Sequence, residues 1–229
     1  MSFTVDQDVD ESGSPEMRSL AFWEIVSLTS TALIAVWAVL ALATTRWMLL
    51  FPVALAFSFI ILSHRIRRES ARELGWRTDN FLEAVRLLVL PMLGASLVMA
   101  AIGWYMGSLR FAFPEKRSGI LWLPFAGIAW GLTQQYVLQA FFNRRAQMVW
   151  GRGAVSVLVV GFIFALIHLP NWWLAAATFA GGCIWAAVYQ RAPNLPALGL
   201  SHGLMTWVLI STVPQSALQS LRVGFKYFG

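Results

Sequence analysis

Three glutamines and two histidines stand in stretches of sequence that are otherwise apolar. Gln134, Gln135 and Gln139 lie in "WGLTQQYVLQAFFNRR", while His168 and His202 lie in "FALIHLPN" and "LGLSHGLMT". Amides and imidazoles are costly to place in hydrocarbon unless they find hydrogen-bond partners. An imidazole can take a proton from water near neutral pH, whereas a neutral amide cannot. We therefore expect these side chains to share one polar pocket inside a membrane protein.

Several of the polar side chains are four residues apart, so each pair shares one face of a helix. The pairs are Gln135 with Gln139, Phe164 with His168, and His202 with Thr206. We expect the three faces to converge, and the spacing allows Gln135 and Gln139 to hydrogen bond to each other. The alternative is that these residues only join helices, since polar residues in membrane helices often do so without any chemistry.

Composition indicates an all-α, polytopic helical membrane protein. Of the 229 residues, 58% are hydrophobic and only 12% are charged, whereas soluble domains average roughly 25% charged residues. Long apolar stretches recur along most of the chain, and the segments of about ten alternating residues typical of outer-membrane barrels are missing.

Apolar runs predict about seven transmembrane helices, near residues 25–45, 47–63, 83–106, 119–142, 153–169, 172–190 and 196–213. The predicted organisation has four parts: an acidic, disordered tail over 1–18, N-terminal spans with a basic connector over 19–118, a core over 119–214, and an interfacial tail over 215–229. The beginning of the sequence lacks the basic start of a cleaved signal peptide, so we expect the first span to be retained.

Positive charge predicts the orientation. The loops on the N-terminal side hold ten arginines, five of them in the connector 64–80, against six basic residues on the opposite side. An excess of Lys and Arg marks the cytoplasmic side, so we expect a protein of the inner (cytoplasmic) membrane with a cytoplasmic N-terminus. We assign the charge of +6 to topology and contact with membrane lipids, and we expect no nucleic-acid partner.

Other motifs do not predict a site. The string "GLSHG", residues 199–203, fits a serine nucleophile elbow, but that device needs a strand-to-helix turn. We interpret it instead as a GxxxG in which Gly199 and Gly203 allow two helices to approach closely. Cys183 is the only cysteine, no H-E-x-x-H occurs, and two imidazoles with amides make a poor zinc site, so we expect no metal or other cofactor.

The ordered set of motifs resembles the CAAX-protease and bacteriocin-processing (CPBP, or ABI-type) family of intramembrane endopeptidases, related to type II CAAX prenyl proteases. That family shows E-E-x-x-x-R on one span, F-x-x-x-H on the next and H-x-x-x-N on a later one. Here "QQYVLQ", "FALIH" and "HGLMT" stand in the same order, within about residues 119–210. Glutamines therefore occupy the positions of both family glutamates and of the arginine.

The resemblance implies hydrolysis of a peptide bond near the membrane, with a membrane peptide or protein as the substrate. It implies that the catalytic residues are Gln134, at the position of the water-activating glutamate, together with His168 and His202. Gln135, Gln139, Phe164 and Thr206 would shape the site. Since Gln134 cannot be a general base, two readings stay open: a histidine-driven hydrolase, or a catalytically inactive membrane scaffold of the same fold. A small transporter or proton relay is a third, less favoured class because no inverted repeat is visible.

The orientation can be tested by labelling introduced cysteines with a membrane-impermeant reagent in intact cells. We expect Ala112→Cys to be labelled from outside and Ser70→Cys to be protected, because position 70 lies in the arginine-rich connector. Labelling of position 70 with protection of position 112 would reverse the predicted topology.

Overall fold

The computed structural model describes residues 14–110 and 122–228, and this part of the chain is all-α, with no strand. The fold class predicted from composition is therefore confirmed. A π-helical segment, Tyr136–Asn143, joins α4 to α5 without a break. The longer helices of the described residues are α1 (Pro15–Leu42), α2 (Arg46–Ile66), α3 (Phe81–Tyr105), α4 (Trp122–Gln135), α5 (Arg144–Trp150), α6 (Ala154–Leu166), α7 (Trp172–Arg191) and α8 (Leu195–Thr212). Short helical turns follow in the tail at Gln215–Leu218, Gln219–Leu221 and Gly224–Tyr227.

Four of these helices, α1, α3, α7 and α8, are long and apolar enough to cross a membrane. Two shorter apolar helices, Leu50–Ile66 and Ala154–Leu166, correspond to the predicted second and fifth spans. The protein is thus a multi-pass membrane protein, but a count of seven spans is not confirmed. Helix α1 begins at Pro15, so residues 15–18 of the predicted tail are helical, and residues 1–13 lie outside the described chain.

Asparagine or serine side chains cap the beginnings of three helices. The Ser14 hydroxyl accepts a hydrogen bond from the Met17 amide, and Asn171 and Asn194 do the same at the starts of α7 and α8. Such caps satisfy backbone amides that have no partner within the helix. The "HLPN" and "APNLP" strings therefore act as helix starts, and Asn171 and Asn194 are both buried.

Segments that the distribution of arginines predicts to be on the cytoplasmic side lie together at one end of the bundle. Arg18 near the start of α1 donates to the carbonyl of Val149 in α5. The connector after α2 meets the start of α8, where the Asn194 side chain donates to the Arg77 carbonyl over 2.7 Å. These contacts keep the connector, the end of α5 and the α7–α8 junction together.

The opposite end is covered by the C-terminal tail, which follows α8. The Asn171 side chain donates to the Leu218 carbonyl over 2.7 Å, and the Gly224 amide donates to the Leu169 carbonyl over 2.9 Å. Phe225 packs edge-on against Trp37 of α1, with ring centroids 5.1 Å apart. The tail is therefore tied both to the α6–α7 junction and to α1.

A buried arginine joins four separate parts of the chain. Arg145 in α5 has no exposed surface, and its Nη atoms lie 2.8 and 2.9 Å from the carboxylate of Glu69 in the connector. It also donates to the Ser63 hydroxyl of α2 over 2.9 Å, and Glu24 of α1 lies 2.9 Å from its Nε. Arg67 pairs with the same Glu24 at 2.8 Å. Three of the arginines counted as topology signals, Arg67, Arg144 and Arg145, thus form internal ion pairs.

Glu69 is the acidic centre of this cluster. Its carboxylate receives hydrogen bonds from His64 over 2.6 Å and from Arg144 over 2.8 Å, in addition to those from Arg145. Burial alone would raise the pKa of the Glu69 carboxyl. The hydrogen bonds from His64 and Arg145, with the charges of Arg145 and Arg144, outweigh burial and hold that pKa well below its usual value of 4.5. Because the pKa is depressed by folding, the resulting stabilisation is present above pH 4.5 and is lost as the pH falls through the folded-state pKa.

Replacing this carboxylate should destabilise the fold. We expect Glu69→Gln to lower the free energy of unfolding at neutral pH by about 3–5 kcal/mol, because it leaves buried Arg145 without its main counter-charge. Unfolding followed by circular dichroism or intrinsic fluorescence in detergent would measure the change. The difference from wild type should shrink as the pH is lowered below 4.5.

Glu73 provides a matched control in the same connector. Its carboxylate is exposed and accepts hydrogen bonds locally, from Ser70, so Glu73→Gln should cost less than about 1 kcal/mol. Equal unfolding of the two variants would show that the Arg145 cluster does not hold the bundle together.

Helices α4 and α8 pack with their backbones in contact, and glycine makes this possible. A Cβ atom added to Gly199 would lie 2.8 Å from the Leu132 Cα, and one added to Gly203 would lie 3.0 Å from the Ile128 Cα. On the other side of the contact, a Cβ at Gly131 would lie 2.9 Å from the Gly199 carbonyl oxygen. The structure therefore confirms the GxxxG interpretation of residues 199–203, and α8 carries His202 within this contact.

A single methyl group should test the packing. We expect Gly199→Ala to lower the free energy of unfolding by about 1–3 kcal/mol, because it forces α4 and α8 apart. Gly94→Ala in α3 is the control, since its Cβ would meet no atom within 4 Å and alanine favours helix by up to about 1 kcal/mol. If thermal unfolding shows Gly199→Ala to be as stable as Gly94→Ala, the close approach is not a constraint.

Candidate active site

A large cavity of about 950 Å³ runs inside the bundle. Its walls are mainly apolar and come from α1, α3, α4, α6, α7, α8 and the C-terminal tail. The polar part of the wall is small. It includes Gln134 of α4, His168 just after α6, and His202 and Thr206 of α8, all of which the sequence had singled out, together with Thr178 of α7. Phe164 of α6, also singled out, lines the cavity with its ring.

His168, two residues after the end of α6, lines the same cavity as Gln134 and His202. The cavity extends along the bundle as far as Leu221 and Val223 of the tail. The Phe164 ring lies between the two imidazoles, with centroid distances of 4.8 Å to His168 and 5.9 Å to His202. Both histidines therefore pack edge-on against the same aromatic ring.

The tautomer of His168 follows from its partner. Its Nδ1 lies 2.6 Å from the carbonyl oxygen of Phe164, one turn earlier. A carbonyl oxygen can only accept, so Nδ1 carries the proton. The other ring nitrogen, Nε2, then holds a lone pair and can accept a proton or a hydrogen bond in the cavity.

His202 is held in place by Gln135 and Trp185. The Gln135 amide nitrogen lies 3.1 Å from its Nδ1, and the Trp185 indole stacks on its ring at 4.5 Å and 13°. Trp185 is itself fixed, since its Nε1–H donates over 2.8 Å to the Ser201 hydroxyl, which donates to the Leu198 carbonyl. With an amide N–H donating to Nδ1, His202 carries its proton on Nε2.

The site therefore offers complementary groups to a water or peptide molecule. His168 presents an acceptor that could remove a proton, and His202 presents an N–H that could donate to an oxygen. Gln134, on the same wall and half-buried, can orient a molecule through its amide but cannot remove a proton. Ser201 is not positioned as a nucleophile, because it lies inside α8 and its hydroxyl already supports Trp185.

Gln135 and Gln139 do not form the direct hydrogen bond that their spacing allows. Both side chains are completely buried behind the cavity wall, and Gln135 has turned to His202 on the neighbouring helix. Gln139 accepts a hydrogen bond from Asn143 over 2.8 Å, within the π-helical segment. Each amide thus has its direct partner on another residue. The Oε1 of Gln135 and the Nε2 of Gln139 have no partner among the described residues.

Three residues that support the site were not found from the sequence. Asn143 looked like the end of a span, although its spacing of four from Gln139 was a usable signal. Gln190 donates to Asn143 over 3.1 Å, and as a polar residue near the end of a predicted span it attracted no function. Trp185 gave no signal, because it is one of twelve tryptophans in an apolar chain.

Within the described ranges, no three His, Cys, Asp or Glu side chains are grouped in a way that could hold a metal ion. Two histidines with amides and a hydroxyl also form a weak donor set for zinc.

Comparison with known proteins identifies the region that carries this site. The model of the family described as type II CAAX prenyl endopeptidase Rce1-like matches residues 115–208. No curated protein and no solved structure matches the chain. The matched region includes Gln134, His168 and His202, and the resemblance inferred from the motifs is confirmed. Residues 115–208 are therefore similar to the Rce1-like, type II CAAX prenyl endopeptidase family.

Proposed function

We propose that the protein is an intramembrane endopeptidase of the CPBP type that hydrolyses a membrane-proximal peptide bond. His168 accepts the proton of the attacking water, His202 donates a hydrogen bond, and Gln134 orients the water. The observation that carries the proposal is the pair of histidines on one cavity wall, one presenting an acceptor and the other a donor, inside the Rce1-like region.

The proposed mechanism uses only groups that line the cavity. Water held between the histidines and Gln134 loses a proton to the His168 Nε2 as its oxygen attacks the peptide carbonyl. The developing negative charge on that carbonyl oxygen is stabilised by hydrogen bonds from N–H donors, of which the His202 Nε2–H is one. The imidazolium of His168 then returns its proton to the leaving amine.

The proposed substrate is a membrane peptide or protein, because the cavity wall is mostly hydrocarbon. Helices α3 and α7 face it with small or apolar residues such as Gly94, Ala95, Ala176 and Ala180. An apolar wall binds apolar side chains by removing them from water at the membrane surface, roughly 25 cal/mol per Å² of buried area. We further propose an inner-membrane location with the N-terminus and the connector in the cytoplasm, which the excess of arginines supports.

A second candidate is a non-catalytic membrane scaffold or peptide-binding protein of the same fold. The amides at positions 134, 135 and 139 favour it, since the family glutamates and arginine are replaced together. Joint replacement leaves no unpaired buried charge, which would cost about 3–5 kcal/mol. The hypothesis of a transporter or proton relay has no comparable support from the described residues.

Cleavage assays with purified protein in lipid nanodiscs can separate the two candidates. We expect weak or no cleavage of a membrane-peptide library by wild type, and an increase with Gln134→Glu. A carboxylate on the cavity wall supplies a general base, a contribution that typically reaches about 10²–10⁴-fold. Gln147→Glu is the matched control, because it makes the same change further along the same helix at a residue that does not line the cavity.

His168→Ala decides how any wild-type activity arises. If wild type cleaves peptides, His168→Ala abolishes cleavage and Gln134→Glu leaves the rate unchanged, then histidine is the working base. The triple variant Gln134→Glu/Gln135→Glu/Gln139→Arg restores the family charges. In this variant the introduced guanidinium would face the Asn143 amide donor, so its folding is measured alongside its activity. If none of these proteins cleaves any peptide while all remain folded, the scaffold candidate replaces the enzyme.

A further inference from the structure

A row of buried amides runs behind the cavity wall, from the α7 end of the bundle to His202. It consists of Gln190, Asn143, Gln139 and Gln135, and the last three lie on the helix that contains the π-helical segment. Gln139 and Asn143 do not line the cavity themselves. A buried amide needs hydrogen-bond partners for both its N–H and its C=O group. The orientation of one amide therefore restricts the orientation of the amide next to it.

The direction of the Asn143 amide is fixed. Its nitrogen donates to the Ala186 carbonyl over 3.1 Å and to the Gln139 Oε1 over 2.8 Å. Its oxygen accepts from Gln190 and from Gln147, each over 3.1 Å. Turning this amide over would place N–H groups against N–H groups and would leave a carbonyl oxygen facing the Ala186 carbonyl. Asn143 therefore has one allowed orientation.

That orientation fixes Gln139 in turn. The Asn143 N–H needs an acceptor, so Gln139 must present its oxygen, and its Nε2 must point away from Asn143. This Nε2 is buried without a partner among the described residues, and so is the Oε1 of Gln135 four residues earlier. The two unpartnered atoms are a donor and an acceptor on adjacent turns of one helix, which is the distance at which amide side chains interact.

We infer that the Gln139 amide N–H donates to one buried water, that this water donates to the Gln135 oxygen, and that the bridge sets the tautomer of His202. With its oxygen engaged, Gln135 can offer only N–H to His202, so Nδ1 accepts and the proton stays on Nε2. Gln139 and Asn143 are then positioning residues, which act on the cavity through Gln135. The inference rests on the proposed function for its use in hydrolysis, but the tautomer exists whether or not the protein cleaves peptides.

Without the Gln139 donor, Gln135 is free to turn over. Its oxygen would then accept from an Nδ1–H of His202, and the His202 Nε2 would lose its proton. His168 already presents a lone pair, because its Nδ1–H is donated to the Phe164 carbonyl. Both histidines would then be acceptors, and the site would lose the His202 donor. Stacking on Trp185 does not prevent this change, since the indole ring lies against the face of the imidazole and not against its nitrogens.

The tautomers can be measured by nitrogen NMR of protein labelled with ¹⁵N-histidine in lipid nanodiscs. The chain has three histidines, so His64→Ala and His168→Ala variants assign the signals. We expect His202 to show a protonated Nε2 and an unprotonated Nδ1, and His168 to show the reverse. In Gln139→Met, which keeps the side-chain length and removes the donor, the single protonated Nε2 signal of His202 should be lost or moved to Nδ1.

Gln147→Met is the matched control. Gln147 also donates to Asn143, but Gln190 still occupies the Asn143 oxygen when it is removed, so the His202 signals should not change. A wild-type spectrum with the His202 proton on Nδ1 would overturn the inference even if Gln139→Met did not fold. So would a folded Gln139→Met protein with an unchanged His202 tautomer. If the protein cleaves no peptide but shows the expected tautomers, the proposed enzymatic function is refuted while the inference about the row of buried amides is supported.

Discussion

The buried guanidinium of Arg145 is the interaction on which the arrangement of the bundle depends. It binds the connector through Glu69, α2 through Ser63 and α1 through the charge of Glu24, so three segments from the first third of the chain converge on α5. Helix α5 continues without a break into the π-helical segment and α4. Fixing Arg145 therefore fixes the rotation and height of the helix that presents Gln134 to the cavity and Gln135 to His202.

The ion-pair cluster near the connector and the amides behind the cavity wall are two buried polar groups that differ in charge. Near the connector, charges are kept and paired, with Glu24 and Glu69 set against Arg67, Arg144 and Arg145. Deeper in the bundle, where the family pattern has charges, this chain uses neutral amides. Neutral groups lose less on leaving water than ions do, and each amide both donates and accepts. In a row of amides, the orientation of one amide can therefore set the orientation of the next. In a paired carboxylate and guanidinium, the charges would set the orientation instead.

Sequence was sufficient for the parts of the fold that local patterns determine. Hydropathy predicted an all-α membrane protein, motif order indicated the family, and the spacing of Gly199 and Gly203 predicted a close helix contact. Pairings between distant segments were not predictable. Nothing local to Glu24 shows that it meets Arg145, and a shift to π-helical geometry after Gln135 leaves no mark in hydropathy. The candidate site could be predicted only in part. The motifs identified the residues on the cavity wall, but the orientation of the Gln139 amide and the packing of Trp185 on His202 depend on contacts between helices.

The match to the Rce1-like family ends at residue 208, but the cavity does not. Pro91, Val98 and Ile102 of α3 form one side of it, and Leu221 and Val223 of the tail form another. The shape of the chamber is thus determined in part by segments outside the region that carries the motifs. Substitutions in α3 and in the tail can therefore change this shape while every motif residue stays the same.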